Sequence, residues 1–328
     1  MATLKDVAAS VGVSAATVSR VLNGTGVISE ATRQRVMQAA QDLNYIPNEM
    51  ARSLTNRSNS RILGLIVPYI DHEFFSTLTA AIEESCFKEN YRLILCTSAG
   101  SETRERELLD ALRVNNVAGV IVCSRCDDSS FYLSLPMPLV SVERTMEGVP
   151  SVSCDNKRGG ALAAQELLRS GCHHVLLVGN RYDNALHLPA HLRYTGFMDE
   201  CKRINLEYQE LYLEREDLFG SMLPEKLTGY LKKRPDIDGI FATSDVLASK
   251  VKSVLGRNMP TRSIHIIGFD GIEISDIFDI STIAQPIESM GALAVDVMIR
   301  QINNQLIPEQ SILPVTLIRR GSTQHKRT

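Results

Sequence analysis

The sequence lacks tryptophan altogether, and only 5% of its 328 residues are aromatic. Any aromatic surface offered to a ligand must therefore come from phenylalanine or tyrosine. No run of about 18 apolar residues occurs, so the sequence predicts no membrane-spanning helix. The N-terminus also lacks the basic-then-apolar pattern of a secretory signal, which predicts a cytoplasmic protein without a membrane partner.

The motifs of several large enzyme classes are also missing. The sequence contains no P-loop, no GxGxxG after a strand-like run, no HExxH and no GxSxG. We therefore expect no catalytic activity, no cofactor and no metal site. Seven scattered cysteines, an odd number, predict reduced and mostly buried thiols. Cys123 and Cys126 have the spacing of a metal or redox pair, but no second Cys/His pair accompanies them, so we assign them no role.

The charged residues are unevenly distributed. Residues 1–61 contain seven basic and four acidic side chains, a net charge of +3. Because the whole chain carries −3, the remaining residues carry −6. A basic head on an acidic body favours a nucleic-acid-binding module attached to a domain that does not contact nucleic acid.

Residues 4–23 have the pattern of two short helices joined by Gly12-Val13-Ser14. Ser14 is a candidate N-cap for a second helix from Ala15 to about Leu22, whose polar residues can reach base edges or phosphates. A third helix, capped by Ser29, must end before Pro47. The pattern predicts a helix-turn-helix, and an ordinary amphipathic helical hairpin is the alternative.

Three motifs carry a family resemblance: TLKDVAASVGVSAATVSRVLN at 3–23, SEATRQRVMQAAQDLNYIPN at 29–48 and ARSL at 51–54. The chain resembles transcription regulators of the lactose/galactose repressor (LacI/GalR) family, and weaker similarity continues to RRGST at 319–323. The resemblance implies an all-α helix-turn-helix DNA-binding head at residues 1–47 and a hinge helix or linker at 48–60. It also implies a homodimer on a near-palindromic double-stranded DNA operator.

The same resemblance assigns the residues that contact DNA. They are Thr3, Leu4, Ser14, Ala15, Ala16, Thr17, Ser19, Arg20, Asn23, Asn48, Ala51 and Leu54. Leu54 would insert into the minor groove as an apolar wedge, and packing against the third helix is its alternative role. Ala15 and Ala16 can contact a thymine methyl but give little hydrogen-bond readout. No leucine heptads follow at the C-terminus, so no coiled-coil tetramer is expected.

From Ile62 onward, apolar strand-like runs alternate with amphipathic helical stretches. This alternation occurs in two series and predicts an α/β domain with two doubly wound parallel sheets. The resemblance makes them the lobes of a two-lobed periplasmic-binding-protein-like domain at 61–328. Lobe 1 is expected at about 61–156 and 284–318, and lobe 2 at about 157–283. The closing segments, 281–285, 287–303 and 312–320, are expected to return the chain to lobe 1.

The resemblance also implies a small-molecule effector, a sugar or sugar derivative, in the cleft between the lobes. The candidate contacts are Phe74, Phe75, Glu143, Arg193, Phe219, Ser244 and Asp270. Arg193 and Asp270 are expected on opposite sides of the cleft, where they would hold a polyol from both sides and make lobe closure depend on it. A surface ion pair is the alternative for Arg193. At least one of Phe74 and Phe75 is expected at the ligand, the other in helix core. Asp155, in an SCDN turn with Asn156, can alternatively cap the helix that follows.

One departure from the family narrows the range of expected ligand classes. His187 and Leu188 stand before Arg193, where some relatives with anionic ligands carry another arginine, which favours a neutral sugar. The implied function is an allosterically controlled transcriptional repressor of a carbohydrate-utilisation operon. A corepressor-dependent regulator responding to a nucleobase or another metabolite, and a cytoplasmic small-molecule-binding protein, are the alternatives.

Overall fold

The computed structural model describes residues 2–22, 26–45, 60–124, 130–180, 188–214, 217 and 222–324. Within these ranges the chain divides into two compact units, Met1–Ser60 and Arg61–Thr328. None of the helices that the structure describes is long and apolar enough to cross a membrane.

The smaller unit is a helix-turn-helix followed by a third helix. Its described helices are α1 (Leu4–Val11), α2 (Ala15–Leu22) and α3 (Glu30–Asp42). Thr3 and Asp6 form a capping box at the start of α1, and Ser14 accepts a bond from the Thr17 N–H at 3.1 Å at the start of α2. Gly12 ends α1 with a φ of 72°, a left-handed conformation that costs glycine no steric strain.

The buried side chains of this unit come from all three helices. They are Val7, Ala8, Val11, Val18, Val21, Val36 and Ala40. Arg35 of α3 also donates from Nη2 to the Val11 carbonyl oxygen at 2.6 Å, so α3 holds the last turn of α1 through a polar bond. The predicted helix-turn-helix is therefore confirmed, and its valines fill the space between the helices as their spacing indicates.

The first sheet of the larger unit is parallel throughout its described strands. These are β1 (Ile62–Val67), β2 (Arg92–Thr97), β3 (Gly119–Val122), β4 (Leu139–Val142), β5 (Ser151–Cys154) and β11 (Gln310–Leu313). They pair in the order β11-β5-β4-β3-β1-β2. The accompanying helices are α4 (Glu73–Lys88), α5 (Glu102–Val114), α6 (Ser130–Leu133) and α12 (Ile287–Ile302). We call this sheet and its helices lobe 1.

The second sheet is parallel except at one edge. Its described strands are β6 (His174–Asn180), β7 (Glu207–Leu213), β8 (Gly239–Ala242), β9 (His265–Asp270), β10 (Ser281–Ala284) and β12 (Thr316–Ile318). They pair in the order β12-β10-β9-β8-β6-β7, with β12 antiparallel to β10. The helices are α7 (Asn156–Arg169), α8 (Pro189–Arg203), α9 (Met222–Lys233), α10 (Asp245–Asn258) and α11 (Glu273–Ile277). We call this sheet and its helices lobe 2.

The closing segments correct one expectation. The segment 312–320 was expected to return the chain to lobe 1, yet its strand β12 pairs with β10 in lobe 2, with Thr282 opposite Ile318. Only β11 joins lobe 1, beside β5. Because just Pro314 and Val315 separate β11 from β12, one extended segment serves both sheets, and apolar patterning cannot show where it changes partner.

Within the described residues, the chain passes between the lobes at three short crossovers. They lie between Cys154 and Asn156, between Ala284 and Ile287, and between Leu313 and Thr316. Short connections between two packed lobes are the places where a hinge rotation can occur.

Two glycines let α7 and α8 pack closely in lobe 2. A Cβ atom added to Gly196 would lie 2.0 Å from the Lys157 carbonyl oxygen, and one added to Gly160 would lie 2.1 Å from the Arg193 carbonyl oxygen. Both neighbours are backbone atoms, which cannot turn aside as a side chain can. The glycine pair therefore fixes where α8 presents Arg193.

We expect Gly196→Ala to lower the free energy of unfolding by about 1–3 kcal/mol, because the helices must separate to admit the methyl group. Urea denaturation measures this change. Gly229→Ala in α9 is the matched control, because no atom lies within 4 Å of an added Cβ there. The control substitution should instead raise the free energy of unfolding by about 0.5–1 kcal/mol, because alanine has the higher helix propensity. Equal effects of the two substitutions would contradict the close packing of α7 on α8.

Candidate functional site

A buried arginine lies between carboxylates of both lobes. Arg193, on α8 of lobe 2, is 7% exposed. Its Nη2 donates to Glu143 Oε2 at 3.3 Å, and its Nη1 donates to Asp270 Oδ1 at 3.2 Å. Glu143 directly follows β4 of lobe 1, whereas Asp270 ends β9 of lobe 2. The guanidinium thus joins the lobes at the carboxyl ends of parallel strands, where open α/β sheets bind ligands. This burial excludes the alternative of a surface ion pair.

Three further groups hold the guanidinium in place. Nε donates to Asn156 Oδ1 at 2.6 Å, and Nη1 donates to the Thr243 carbonyl oxygen at 3.1 Å. The Phe269 ring lies beneath the guanidinium, with its centroid 3.8 Å from Cζ. A planar cation stacked on a ring and bonded at its edge loses little further freedom when it binds a ligand. Arg193 is therefore preorganised.

Both carboxylate residues, Glu143 and Asp270, have an unusual backbone conformation. The φ angle is 59° at Glu143 and 121° at Asp270, in regions that residues other than glycine rarely adopt. Such conformations cost about 1–3 kcal/mol each and concentrate at binding sites. A buried anchor supports the first of them: Arg144 is 2% exposed and donates from Nη1 to Ser124 Oγ at 3.1 Å. The turn that presents Glu143 is thus fixed by its own neighbour.

Asp245 supports Asp270 from within lobe 2. Its side chain is fully buried, and its Oδ2 accepts bonds from the Gly271 N–H at 2.7 Å and the Ile272 N–H at 3.1 Å. Its Oδ1 lies 2.6 Å from Thr282 Oγ1. Burial, and secondarily the nearby Asp270 carboxylate, raise the pKa of Asp245 to about 8. The Thr282 hydroxyl and the two backbone N–H groups donate to Asp245 and lower its pKa, but burial is the larger effect.

This raised pKa makes the stability of the protein depend on pH. The pKa lies above the ordinary 3.8, so the folded state binds the proton more tightly, and stability falls as pH rises from about 4 to about 8. Asp245→Asn keeps an oxygen for the Gly271 and Ile272 N–H groups and offers an N–H to the Thr282 hydroxyl oxygen, and it has no proton to lose. Relative to wild type, the variant should gain up to about 1.4 kcal/mol per pH unit. Urea denaturation at about pH 5, 7 and 9 tests this, and a constant difference would contradict it.

The predicted aromatic pair lies inside lobe 1. Phe74 and Phe75 are 4% and 5% exposed and pack edge to face, with ring centroids 5.1 Å apart. Both belong to the hydrophobic core, so a ligand contact by either one stays a prediction. A small cavity of about 50 Å³ lies nearby, and its lining joins lobe 1 to lobe 2. The lining residues are Tyr69, Asp71, His72 and Val246.

Two further candidates near the cleft cap helices. Ser244 accepts a bond from the Leu247 N–H at 3.2 Å at the start of α10. Asp155 accepts one from the Arg158 N–H at 2.9 Å at the start of α7, which is its alternative role. Both side chains therefore cap helices, whether or not a ligand is bound.

In the smaller unit, α2 carries the residues predicted to read DNA. Ser14, Ala16 and Arg20 are exposed, and the side chains of Ala15, Thr17 and Ser19 are half-buried. Thr3 is also exposed, whereas Leu4 packs partly against the core of the unit. A short polar face with one projecting arginine has the shape that enters a major groove.

Several predicted residues lie outside the described ranges. They are Asn23, Asn48, Ala51, Leu54, Cys126, His187 and Phe219. Cys123 is buried just after β3. Among the residues that the structure does describe, no three His, Cys, Asp or Glu side chains form a group that could hold a metal ion.

Sequence reasoning missed three of the groups around Arg193 and Asp270. The Thr243 carbonyl and the Phe269 ring give no sequence signal, because one is backbone and the other resembles any buried strand residue. Gln285 donates from Nε2 to Asp270 Oδ1 at 2.8 Å. Its position directly after β10 could have indicated it, since polar residues at strand ends face the cleft.

Both units match known family models. Residues 3–48 match the model described as bacterial regulatory proteins, lacI family. Residues 60–320 match periplasmic binding proteins and sugar binding domain of LacI family. Together these two matches extend over most of the chain.

Individual similar proteins indicate the same family as the two family models. The ribose operon repressor of Bacillus subtilis (strain 168) is 38% identical over 333 residues, covering 99% of each chain. The sucrose operon repressor of Lactococcus lactis subsp. lactis is 36% identical over 324 residues, covering 97% of this chain and 98% of the relative. A periplasmic binding protein/LacI transcriptional regulator from Alkaliphilus metalliredigens QYMF, solved with D-xylulofuranose, is 29% identical with a TM-score of 0.71, covering 81% of this chain and 100% of that one. The chain belongs to the LacI family of bacterial regulatory proteins.

Proposed function

We propose that the chain is a homodimeric cytoplasmic repressor of a carbohydrate-utilisation operon, controlled by a neutral sugar bound between its lobes. The observation that carries this proposal is the bonding of Arg193 to Glu143 of lobe 1 and Asp270 of lobe 2. Sugar hydroxyls can accept from a guanidinium and donate to a carboxylate at once, so they complement this arrangement. The names of the ribose and sucrose operon repressors support the ligand class.

The charges around Arg193 favour an uncharged ligand. One guanidinium faces two carboxylates, so the cluster carries a formal net charge of −1 while Asp245 is protonated. Loss of the Asp245 proton, whose pKa is raised to about 8, makes the cluster more negative. A phosphate or carboxylate ligand would therefore meet like charge in a buried site, where repulsion is poorly screened.

The same bonds can couple sugar binding to operator affinity. A ligand that takes over the bonds between Arg193 and Glu143 replaces a direct contact between the lobes by a bridged one. Sugar binding thereby changes the lobe angle at the crossovers. A ligand that prefers one lobe geometry can change operator affinity by its differential affinity for the two geometries.

We assign DNA binding to α2. Each head of the dimer would place α2 in the major groove of one half-site, with Arg20 bonded to a guanine or a phosphate. The hinge residues Asn48, Ala51 and Leu54 would contact the minor groove between the half-sites.

Titration calorimetry of the full chain tests the ligand class. The panel is D-ribose, sucrose, D-xylulose, cellobiose and D-ribose 5-phosphate, and bound sugar is recovered afterwards for analysis. We expect one neutral sugar to bind and return unchanged, with the phosphate ester at least about hundredfold weaker than its parent sugar. Tighter binding of the phosphate ester, or chemical conversion of the sugar, would contradict the proposal.

A further inference from the structure

Four buried polar side chains of lobe 1 form one chain of hydrogen bonds. They come from four segments: Glu105 from α5, Ser124 from the residues after β3, Tyr132 from α6 and Arg144 from the residues after β4. Each residue is at most 3% exposed. The Tyr132 hydroxyl donates to Glu105 Oε1, and Ser124 Oγ lies 2.7 Å from the Tyr132 hydroxyl oxygen. Arg144 Nη1 donates to Ser124 Oγ at 3.1 Å.

The protons in this chain all point in one direction. Tyr132 gives its single hydroxyl proton to Glu105, so the Ser124 hydroxyl must donate to Tyr132, and Arg144 can only donate. Each bond therefore polarises the next, from the guanidinium to the carboxylate, which strengthens the bonds in a buried setting. The chain holds the Arg144 side chain in one place.

Packing alone does not explain these residues. Tyr132 belongs to an apolar cluster with Ile66 and Leu109, where phenylalanine would fill the same space without a hydroxyl to satisfy. Glu105 Oε2 is buried and has no hydrogen-bond partner among the residues that the structure describes. A buried carboxylate and guanidinium cost several kcal/mol to desolvate, so apolar residues of similar volume often give equal or higher stability. The network therefore indicates a role in geometry.

The chain ends directly behind a carboxylate of the candidate site. Arg144 follows Glu143, whose φ is 59° and whose Oε2 accepts from Arg193 at 3.3 Å. The Glu143 N–H donates to the Val152 carbonyl oxygen of β5 at 3.0 Å. The strained residue is thus held by β5 on one side and by the buried Arg144 on the other. Without Arg144 in place, Glu143 can relax to a negative φ, which turns its carboxylate away from Arg193.

We propose that Glu105 and Tyr132 are positioning residues of the effector site. Through Ser124 and Arg144 they hold the turn that presents the Glu143 carboxylate to the sugar. This role rests on the proposed function, because it requires Glu143 to act at a bound sugar. It places part of the control of sugar affinity on α5 and α6, whose residues in this network are buried in lobe 1.

The test is a double-mutant cycle between Tyr132→Phe and Glu143→Ala, in the full chain. Calorimetry measures the affinity for the sugar of the panel that binds, and urea denaturation shows that each variant is folded. Tyr132→Phe should weaken sugar binding about tenfold. With Glu143→Ala, which removes the carboxylate being positioned, the same substitution should change sugar affinity by less than about twofold. A purely structural role would weaken binding equally in both backgrounds.

Tyr230→Phe is the matched control. Tyr230 on α9 of lobe 2 donates its hydroxyl proton to Gln209 Oε1 of the edge strand β7 at 2.6 Å, so the substitution removes the same group from a bond outside the network. This variant should keep the sugar affinity of wild type.

Two substitutions of Glu105 provide an independent measurement, which also serves should Tyr132→Phe fail to fold. Glu105→Gln keeps an oxygen for the Tyr132 hydroxyl and should bind sugar within about threefold of wild type. Glu105→Leu removes the acceptor and should bind about tenfold more weakly.

Two results would overturn the assignment in different ways. If Tyr132→Phe binds sugar as wild type does, or weakens binding equally with and without the Glu143 carboxylate, the positioning role fails while the proposed function stands. If no sugar of the panel binds wild type, the proposed function fails and the positioning role with it.

Discussion

Arg193→Met should weaken sugar binding more than about hundredfold and abolish the response of operator affinity to sugar. Each charge-assisted hydrogen bond that the guanidinium gives to a sugar contributes about 1.5–3 kcal/mol, and two such bonds are lost together. Methionine can still lie on the Phe269 ring, so the packing beneath the site is retained. Calorimetry with the sugar and anisotropy with labelled operator measure the two effects, and the affinity for operator without sugar should remain.

The substitution also leaves buried carboxylates without their cation. Asp270 is 2% exposed, so breaking its ion pair should destabilise lobe 2 by about 3–5 kcal/mol. Arg193→Lys separates folding from binding, because it keeps the charge but loses the planar fork. Arg203→Met, on the same helix but with its side chain 66% exposed, is the control and should bind sugar normally. Undiminished sugar affinity in a folded Arg193→Met would place the effector site elsewhere.

Arg20→Ala should weaken operator binding by a factor on the order of a hundred or more while leaving sugar affinity unchanged. An arginine contact to a base or phosphate contributes about 1–3 kcal/mol, and a dimer loses it twice. Because Arg20 is exposed on α2, its removal should leave the head folded. Anisotropy titrations with operator and with a scrambled duplex at several salt concentrations distinguish base reading from phosphate contact.

The control for Arg20 is an arginine of the larger unit, which has the same charge. Arg300→Ala on α12 removes an exposed side chain that, among the residues the structure describes, pairs with its helical neighbour Asp296 alone. It should change operator affinity little. Retained operator affinity in Arg20→Ala would mean that residues 15–22 do not form the recognition helix.

Local sequence patterns predicted the helices and strands better than they predicted which strands pair with each other. The N-caps Ser14 and Ser29, the turn at Gly12 and most strands of both sheets follow from residue types at short spacing. The strand Glu207–Leu213 escaped prediction because it is an edge strand with polar residues along it. The pairing of β12 with β10 escaped because it depends on contacts between distant segments, which periodicity does not record.

The candidate site was predicted in part for similar reasons. The family motif named Arg193 and Asp270, and the structure brings them into contact, while their contact with a ligand stays a prediction. The expectation that they lie on opposite sides of the cleft is wrong, because both belong to lobe 2. The family motif gave Glu143 no partner, yet Glu143 is the contact that joins lobe 1 to Arg193. The bond became visible only in three dimensions, because the partners lie on different lobes and 50 residues apart.

Operator binding with and without sugar tests the central claim most directly. The measurement is fluorescence anisotropy of a labelled duplex from upstream of the gene, titrated with the full chain in the presence of each neutral sugar of the panel. We predict salt-sensitive binding whose affinity changes at least about tenfold with the sugar that calorimetry shows to bind. Release would make that sugar an inducer, and tightening would make it a corepressor. A sugar that binds the protein yet leaves operator affinity unchanged would contradict the account.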